Sequence, residues 1–562
     1  MIKNEIQKIV SKALRQGFGG ELSRTAQGEP LEAEIFVPEK EEFGHYFTNV
    51  ALRLVKERKA NPMQIAQKIT DDLRLMTNDL FNKIEVAPPG FINFWIKPEV
   101  LQKELKEILN KKSAYAKASA DKGKIQIEFI SANPTGPLTI GNGRGGFFGD
   151  ALANILKFSG HNVVKEYYVN DAKNSTQIKE LGKTGIGKGT TYLTNNLKSK
   201  IIKAKLVIKK LKEKNPQNLE GEVGHLLAKE IQKDNQKFIE KILKIKFDKW
   251  FSEQSLYDKK EIEKTLNEFK KKKLVYEKEG ALWFKSSQFG DSEDRVLIRS
   301  PRLAGQAGEP TYFLPDLAYH FDKFKIRKFN KVIDIWGADH HGYIARMKAG
   351  IKALGIESGK LTVIITQLAR LVKGGKEFKI SKRKGTYVTM EDLIKEIGLD
   401  AARFFFLMSA PDTHMNFDLD LAKEKSMKNP VYYVQYAAVR AQSIIKKTKS
   451  LKLKAKSKVD FKLLNTKEDL DLIRILARFP EIVQETALNY NPQALARYSI
   501  ELAKQFHNFY EKERVIGPSF ADATAGREEK ELATARLVLV QATLVVFKNI
   551  FSLLGISMPK KM

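Results

Sequence analysis

The pattern of apolar and polar positions divides the chain into segments with different periodicities. Short apolar runs with β-branched or aromatic residues lie at residues 125–130, 162–169 and 331–337, and such runs are typical of buried strands. After the first run comes a loop rich in Pro and Gly, and then apolar residues at helical spacing from Phe148 to Leu156. The order strand, glycine-rich loop, helix and strand predicts a parallel βαβ unit.

Residues 1–110 predict a small α/β unit of their own. Helical patterns cover residues 48–59 and 62–81, and residues 87–96 have the form of a turn followed by a strand. The stretch 111–124 consists mainly of small residues and lysine, so we expect a linker or loop there.

The rest of the chain continues the α/β pattern and then becomes helical. A lysine-rich helical region extends from about residue 172 to residue 310, between the two halves of the expected sheet. In the second half, residues 340–354 are predicted as a helix and residues 361–372 as one strand or two. From Glu391 onward the pattern is helical to the last residue.

Composition adds three constraints. Among 562 residues, Lys and Arg number 98 against 67 for Asp and Glu, a net charge of +31, which indicates either a polyanionic partner or a lysine-rich proteome. The chain has no cysteine, which excludes disulfides, a thiolate nucleophile and Cys-ligated metal sites. The longest apolar stretch, residues 537–547, is too short to span a membrane. Because the N-terminus also has no secretory signal pattern, we expect a cytoplasmic protein.

Two segments have residues suited to binding phosphate. The loop 131–146 contains several glycines ahead of a helix N-terminus, where backbone amides and the helix dipole favour anions. Its spacing matches neither a P-loop nor a dinucleotide-binding loop, so a purely structural turn is an equal alternative. In residues 378–386, lysines and an arginine surround Ser381 and are suited to stabilising a phosphate under attack. A solvated run of charges is the alternative interpretation of that segment.

Two further segments place polar residues where open α/β sheets bind ligands. Residues 336–347 come at the end of a predicted strand, and Asp339, His340 and His341 within them are either metal ligands or, as we favour, the polar rim of a pocket. Residues 311–324 predict a helix with Asp316 in its first turn. An ordinary amphipathic helix, in which the helix dipole favours an N-terminal Asp, explains the same pattern.

Taken in this order, the four segments resemble those of the arginyl-tRNA synthetases, a family of class I aminoacyl-tRNA synthetases. The similarity covers nearly the whole chain, and it is carried by HYFTNVALRLVK, APPGFINFWI, EFISANPTGPLTIGNGRGGFFGDALANIL, YYVNDAKN, LWFKSSQFGDSEDRVLIRS, TYFLPDLAYHFDKF, DIWGADHHGY, KISKR, LDAARFFFLMSA and NPVYYVQYAAVRAQSI. The resemblance implies an α/β fold, with a Rossmann-type parallel-sheet catalytic domain at residues 120–395 and a helical insertion at about 172–310. It also implies an N-terminal α/β additional domain at residues 1–110 and an all-α anticodon-binding domain at residues 396–562.

The reaction implied by the resemblance is ATP-dependent activation of L-arginine to arginyl-adenylate, followed by transfer to the 3′ end of arginine tRNA. The family generally needs bound tRNA for the first step. Mg²⁺ accompanies ATP through its phosphates, and no metal site built from protein side chains is expected. The implied partners are arginine tRNA, L-arginine and ATP, with no membrane, for an enzyme expected to be a monomer in the cytoplasm.

The resemblance also assigns roles to individual residues. Carboxylates suit a planar, permanently charged guanidinium, and the residues implied for arginine binding are Glu128, Asn133, Tyr312, Asp316 and Asp339. The residues implied for ATP binding are Thr139, Gly141, Asn142, Gly337, His340 and Lys382. The catalytic group consists of Lys379, Ser381, Lys382, Arg383, Thr139 and Asn142.

Contacts with tRNA are assigned less directly. Tyr433, Gln435 and Tyr436 are candidates in the expected anticodon-binding domain, and helix packing explains the two tyrosines equally well. The lysine runs at residues 198–214 and 446–458 either contact the tRNA backbone or reflect composition alone.

The sequence departs from the family pattern in two places. Where the family has His-x-Gly-His, this chain has Thr139-Ile140-Gly141-Asn142, in which Asn142 keeps an N–H donor and Thr139 keeps only a shorter hydroxyl. Pro315 stands where the family usually has arginine. We therefore weigh an active arginine-specific enzyme against two alternatives, a non-catalytic tRNA-binding relative and a class I synthetase for lysine.

Overall fold

The computed structural model describes residues 1–18, 32–76, 79–110, 123–301, 308–378, 388–450, 459–516 and 526–562. Three predicted features fall wholly or mostly outside these residues, and the lysine run at residues 446–458 is one of them, since residues 451–458 are not described. The second is the basic loop with Lys379, Ser381, Lys382 and Arg383, and the third is most of the expected linker at residues 111–124.

Helices and strands alternate through the first three quarters of the chain, and the described part beyond β14 is helical. The strands are β1 (Tyr46–Thr48), β2 (Phe81–Ala87), β3 (Phe91–Ile96), β4 (Lys124–Glu128), β5 (Asn162–Val169), β6 (Lys249–Ser252), β7 (Val275–Lys278), β8 (Ala281–Phe284), β9 (Arg295–Ile298), β10 (Lys331–Gly337), β11 (Leu361–Thr366), β12 (Ala369–Lys373), β13 (Lys376–Glu377) and β14 (Met415–Asp418). The α-helices are α1 (Ile2–Phe18), α2 (Val50–Arg58), α3 (Pro62–Met76), α4 (Pro98–Asn110), α5 (Ile140–Phe158), α6 (Thr176–Gly185), α7 (Asn195–Lys214), α8 (Leu219–Lys241), α9 (Gln254–Asp258), α10 (Glu261–Lys271), α11 (Phe313–Phe321), α12 (Ile344–Ala353), α13 (Met390–Ile397), α14 (Leu399–Leu407), α15 (Leu419–Lys423), α16 (Pro430–Ser450), α17 (Lys467–Ala477), α18 (Phe479–Asn489), α19 (Pro492–Lys512) and α20 (Arg527–Leu554).

Five strands form a parallel sheet in the spatial order β11, β10, β4, β5, β6, which confirms the predicted Rossmann-type α/β fold. The chain order reverses between β4 and β10, and open α/β sheets bind ligands outside the carboxyl ends of the strands at such a point. The register places Glu128 of β4 opposite Asp334 of β10. Two carboxylates therefore meet where a ligand pocket is expected.

The insertion between β5 and β10 is less helical than its lysine-rich sequence predicts. Helices α6 to α10 are present, but β6 joins the central sheet beside β5, and β7, β8 and β9 form a separate antiparallel sheet. These strands have four residues each. A strand this short shows too few alternations of apolar and polar residues to be recognised from sequence.

In the N-terminal unit, β1, β3 and β2 form an antiparallel sheet next to α1 to α4. The predicted turn and strand at residues 87–96 are present as part of the β2–β3 hairpin. This unit packs on the C-terminal helices through buried polar contacts. The hydroxyl of Tyr46 donates to a carboxylate oxygen of Glu481 at 3.0 Å, and the side-chain amide of Gln102 donates to the carbonyl of Leu464 at 3.1 Å.

The long C-terminal helix α20 corrects one expectation from the sequence. It has 28 residues and contains an 18-residue window of mean hydropathy 2.0, so by length and composition it is able to span a membrane. In the structure, however, 72% of that window is buried inside the protein, and the helix packs on α16, α5 and α19. The helix thus occupies the core of the C-terminal bundle, where an all-round apolar helix is expected.

A buried ion pair connects the C-terminal helices with α5. The guanidinium of Arg403, in α14, lies 2.8 Å from Asp150 of α5 and also donates to the carbonyl oxygens of Leu243 and Leu554. The ammonium of Lys165 contacts the other oxygen of Asp150 at 2.7 Å. Because Leu554 is the last residue of α20, the end of the C-terminal bundle directly supports α5.

Candidate active site

A cavity of about 440 Å³ opens at the carboxyl ends of β4 and β10, where the strand order reverses. Among the described residues that line it, none is a lysine or arginine, whereas four are carboxylates: Glu128, Glu253, Asp316 and Asp334. Aromatic side chains complete much of the wall, namely Tyr168, Tyr312, Tyr319, Trp336 and Tyr343. Carboxylates and aromatic faces both attract cations, so the cavity favours a positively charged ligand.

Two of the four carboxylates share one buried cation of the protein. The ammonium of the fully buried Lys323 lies 2.7 Å from Glu128 and 2.9 Å from Asp334. Asp334 also contacts Nε2 of His320 at 2.8 Å. Although burial alone would raise it, Lys323 and His320 together lower the pKa of Asp334 to about 2. Asp334 therefore stays ionised at neutral pH as part of an internal ion-pair network.

Asp316 forms no ion pair with any described residue. Its carboxylate accepts a hydrogen bond from the hydroxyl of Tyr343 at 2.7 Å. It lies in the first turn of α11, as predicted, although the helix begins at Phe313 and not at Pro315. Desolvation raises the pKa of Asp316 to about 6. A cation bound in the cavity would supply the counter-charge that no described residue supplies.

Sequence reasoning missed Glu253, which follows β6 directly and is only 6% exposed. Burial, with smaller contributions from the charges of Asp316 and Asp171, raises the pKa of Glu253 to about 8. On the same cavity wall, the buried hydroxyl of Tyr168 has no hydrogen-bond partner among the described residues. A carboxylate directly after a strand of the central sheet is a signal for a ligand site, but β6 is too short to be recognised as a strand from sequence.

Asn133 lines the cavity from the loop that follows β4. Ile130 and Ser131, which precede Asn133 in this loop, have positive φ angles of 69° and 37°. A non-glycine residue keeps this conformation only where the surrounding structure holds it. Here the hydroxyl of Ser131 donates to Glu128 at 3.0 Å, and its carbonyl accepts from the amide of Asn170 at 2.9 Å. The loop that presents Asn133 is thus fixed to both neighbouring strands.

The predicted phosphate-binding loop leads into α5, and Thr139 is the N-cap of that helix. The backbone N–H of Thr139 donates to Oδ1 of Asn142 at 2.9 Å, and the backbone N–H of Asn142 donates to Oγ1 of Thr139 at 3.4 Å. The hydroxyl of Thr139 also donates to Oδ1 of Asn142, at 2.8 Å. Because the amide oxygen faces Thr139, the side-chain N–H donors of Asn142 point elsewhere, and no described residue accepts from them.

Glycines in this loop have packing roles beyond the predicted contact with phosphate. A Cβ at Gly143 would lie 2.2 Å from the sulfur of Met390, and one at Gly149 would lie 2.4 Å from the ring of Phe129. Gly141 differs, because a Cβ there would meet nothing closer than 3.8 Å. Of these three glycines, Gly141 is therefore the one that leaves space for a ligand to approach the helix N-terminus.

The basic loop lies outside the described residues, but the residues that follow it lie beside this N-terminus. The backbone N–H of Met390 donates to the carbonyl of Leu138 at 2.8 Å, and Thr389 pairs with Thr139 in an isolated antiparallel bridge. Thr389 and Met390, a few residues after the basic loop, therefore lie next to the cap of α5.

After β10 the chain forms a short 3₁₀ helix, Ala338–Tyr343, in place of the first turns of the predicted helix. His340 lines the cavity, whereas the side chain of Asp339 is 79% exposed and contacts His340 at 3.4 Å. Gly337 ends β10, and a Cβ there would lie 2.5 Å from a carboxylate oxygen of Asp339. In the described ranges, no group of three or more His, Cys, Asp or Glu residues is arranged to hold a metal ion.

The three tRNA-contact candidates lie on α16 in different surroundings. Gln435 is buried, and its amide donates to Asp400 at 2.8 Å. Tyr433 and Tyr436 flank the ring of His507, with centroid distances of 4.9 and 5.8 Å. Tyr436 also lines an open groove of about 560 Å³. The structure therefore presents Tyr436 at a surface groove and places Gln435 inside the bundle.

Comparisons with known proteins match every part of this architecture. The arginyl tRNA synthetase N terminal domain family matches residues 2–96, the catalytic domain family of class I (R) tRNA synthetases matches residues 104–182 and 188–435, and the DALR anticodon binding domain family matches residues 434–562. The arginine–tRNA ligase of Geobacter sp. (strain M21) is 39% identical over 580 residues, covering 100% of both chains. That of Caldanaerobacter subterraneus subsp. tengcongensis is 39% identical over 575 residues, covering 100% of this chain and 99% of its own. In fold, the arginyl-tRNA synthetase structure from Thermus thermophilus aligns over 100% of both chains with a TM-score of 0.77 at 22% identity. The chain belongs to the arginyl-tRNA synthetase family of class I aminoacyl-tRNA synthetases.

Proposed function

We propose that the protein is an arginine–tRNA ligase, which activates L-arginine with ATP and transfers it to the 3′ end of arginine tRNA. The observation that supports this best is the cavity at the switch point of the sheet, with four carboxylates and no lysine or arginine on its described wall. Two of those carboxylates, Asp316 and Glu253, have no cationic partner among the described residues. A guanidinium is permanently charged and planar, and it pairs with carboxylates through two parallel hydrogen bonds.

For arginine binding, we propose that Asp316 and Glu253 contact the guanidinium, with Tyr312 at the cavity mouth, where it is 53% exposed. Glu128 and Asn133, on the strand end and loop of β4, are assigned to the amino-acid end of the substrate. The exposed Asp339 is not part of this assignment, because its side chain does not line the cavity.

Activation is an in-line attack of the arginine carboxylate on the α-phosphorus of ATP, in which pyrophosphate leaves and no covalent enzyme intermediate forms. We assign ATP phosphates to the N-terminus of α5, where Thr139 is the cap and Gly141 and Asn142 lie in the first turn. Gly337 and His340 are assigned to the nucleotide from the end of β10. Mg²⁺ enters bound to the phosphates of ATP. The catalytic cations are assigned to the basic loop: Lys379, Lys382 and Arg383, with Ser381 between them.

For tRNA, we propose three domains with separate tasks, at residues 1–110, 120–395 with an insertion at about 172–310, and 396–562. The first and last bind the body of the tRNA, and the groove at Tyr436 is the assigned contact surface of the last. The 3′ end then reaches the arginine cavity of the middle domain, where its terminal hydroxyl attacks the carbonyl of the adenylate and AMP leaves. We propose that the enzyme works as a monomer in the cytoplasm.

The test is a charging assay with labelled arginine and a transcript of arginine tRNA. We expect ATP-dependent charging with arginine and none with labelled lysine at the same concentration, because the free carboxylates fit a forked guanidinium. Pyrophosphate exchange is measured in parallel, with and without tRNA. Tight tRNA binding without exchange or charging would identify a non-catalytic relative, and charging with lysine would identify the other specificity.

Arginine binding is expected to strengthen with pH up to about 8, because Glu253 must ionise to pair with a guanidinium. The pKa of Glu253 in the free cavity is about 8 and that of Asp316 about 6, so at neutral pH binding releases a proton mainly from Glu253. The dissociation constant should rise roughly tenfold for each pH unit below that pKa. Calorimetric titrations with arginine in buffers of different ionisation enthalpy measure both the affinity and the released proton.

Glu253→Gln should remove most of this pH dependence above about pH 7 and lower the affinity. The matched control is Glu263→Gln on the exposed side of α10, which should behave as the unchanged protein. Arginine affinity that is constant between about pH 6.5 and 8 in the unchanged protein would contradict the role of Glu253.

A further inference from the structure

Helix α7 uses only one of its faces for packing. Of its eight lysines, only Lys200 forms an ion pair with a described residue, at 2.6 Å from Asp234, which leaves seven without one. All seven are exposed. The residues that pack against α8 are apolar and lie on the opposite face: Leu197, Ile201, Ala204, Ile208 and Leu211.

The seven lysines repel one another along the helix. Lys205 and Lys209 are four residues apart, as are Lys210 and Lys214, and like charges at this spacing destabilise a helix. The only acidic residue of α7, Glu213, lies in its last turn. A polyanion along this face would remove the repulsion and is therefore the complementary partner in charge.

The same face also exposes apolar surface. Ile202 and Leu206, one helical turn apart, are 72% and 76% exposed. Lys203 and Lys205 lie between them in sequence, and Lys198 and Lys209 lie one turn before and about one turn after the pair. A small apolar patch surrounded by lysines fits a surface that has both phosphates and apolar sugar faces, as a nucleic acid does.

The helix begins next to the glycine-rich loop that leads into α5. A small cavity is lined on one side by residues 135–138, which lead to the cap of α5, and on the other by Asn196 and Leu197 at the start of α7. With 20 residues, α7 extends about 30 Å from this point. We therefore expect an RNA whose 3′ end lies in the arginine cavity to have its adjoining duplex near this helix.

We propose that the exposed face of α7, defined by the seven lysines with Ile202 and Leu206, binds the backbone of the RNA duplex next to the 3′ end of the substrate tRNA. This inference rests on the proposed charging function. RNA duplexes are recognised mainly through phosphates, 2′-hydroxyls and shape, and lysines on such a surface act as point charges on phosphates. A membrane-surface helix would instead present its broad apolar face outward, whereas that face of α7 packs on α8.

The test variant replaces four lysines around the apolar patch: Lys198→Gln, Lys203→Gln, Lys205→Gln and Lys209→Gln. We expect the KM for tRNA to rise about 10- to 100-fold at physiological salt, and the slope of log affinity against log salt to fall by about 2 to 4. The kcat at saturating tRNA and the KM for arginine should change less than about twofold, because none of these side chains lines the arginine cavity. The melting temperature should stay equal or rise, since like-charge repulsion is removed.

A matched control removes the same charge from the next helix through Lys229→Gln, Lys233→Gln, Lys237→Gln and Lys241→Gln, all exposed on α8. It should weaken tRNA binding several-fold less than the α7 variant does. A second variant, Ile202→Ser with Leu206→Ser, should raise the KM for tRNA about threefold or more while leaving the salt slope unchanged, because it alters no charge.

Affinity is also measured by filter binding with a hairpin that carries only the acceptor stem and its unpaired 3′ end, and with vesicles of anionic phospholipid. Loss of hairpin binding in the α7 variant, with vesicle binding absent in the unchanged protein, supports the proposal. Equal effects of the α7 and α8 variants on tRNA binding overturn it, and so does vesicle binding that depends on the α7 lysines. Because binding is read independently of charging, a failure of arginine charging would contradict the proposed function and not this surface.

Discussion

Replacing Asp316 by Asn is expected to lower kcat/KM for arginine by roughly 30- to 5,000-fold, or about 2–5 kcal/mol, the cost of removing one partner of a hydrogen-bonded charge pair. The carboxylate lines the cavity, has no ion pair with a described residue, and accepts a hydrogen bond from Tyr343 at 2.7 Å. The amide of Asn keeps one oxygen for that bond and loses the charge that the guanidinium needs. Most of the effect should appear in the KM for arginine, measured by steady-state charging at saturating ATP and tRNA.

The KM for ATP should change little in this variant, because Asp316 is assigned only to the amino acid. The matched control is Asp258→Asn, an exposed residue of α9 outside the cavity, which should leave both constants unchanged. If Asp316→Asn charges arginine tRNA with an unchanged KM for arginine, the guanidinium is bound elsewhere, and the assignment of the cavity is wrong.

Replacing Lys323 by Met is expected to destabilise the catalytic domain by about 3–5 kcal/mol, because it leaves two buried carboxylates without their shared cation. Lys323 is fully buried, lies within hydrogen-bonding distance of Glu128 and Asp334, and has its ammonium 4.1 Å from the ring centroid of Tyr319. Methionine fills similar volume, so the loss is electrostatic and not a cavity. Differential scanning calorimetry should show the corresponding transition about 10 °C lower.

The destabilisation should depend on pH in a defined direction. Lys323 and His320 hold the pKa of Asp334 at about 2, below the ordinary Asp value of about 3.9. The stabilisation from this depressed pKa is therefore present above about pH 4 and is lost as the pH falls toward 2. The difference between the variant and the unchanged protein should accordingly be largest near neutral pH and should shrink below about pH 4.

Lys325→Met, two residues away and exposed, serves as the matched control and should melt as the unchanged protein does. A transition temperature of Lys323→Met within a degree or two of the control would show that the buried network does not support the cavity.

Local signals in the sequence were sufficient for the main elements around the site. The apolar run of β4, the glycine-rich loop and the helical spacing of α5 follow one another directly, so their order predicts a parallel βαβ unit without knowledge of distant contacts. The first-turn position of Asp316 was also predictable, because the helix dipole acts within one turn.

Other parts of the site depend on segments far apart in the chain. Glu253 reaches the cavity because β6 adds to the sheet beside β5, a pairing across more than eighty residues that four residues of strand do not reveal. Lys323 lies in a segment with several basic residues and would be expected at the surface, yet it is fully buried between Glu128 and Asp334. In both cases, burial is decided by the packing of distant elements.

In the glycine-rich loop and in α7, too, the sequence predicted some features and only the tertiary structure showed others. The sequence alone identified the glycines and the lysines, but only the structure shows that Met390 packs against Gly143 and that the lysines of α7 surround an exposed apolar pair. The first feature requires two elements to approach each other, and the exposure of the apolar pair depends on which face of α7 packs on α8. Periodicity within one element reports neither.

By itself, the sequence determined the order of β4, α5 and β5, the family and the carboxylate in the first turn of α11, because these depend on residues close together in the chain. The tertiary structure alone decided which carboxylates lack a cationic partner among the described residues. Glu128 and Asp334 share Lys323, whereas Asp316 and Glu253 have no such partner among the described residues. The physical reason is that a cationic substrate pairs with the carboxylates that have no cation of the protein beside them. The pairing that occupies the other two joins residues from β4, β10 and the segment after α11.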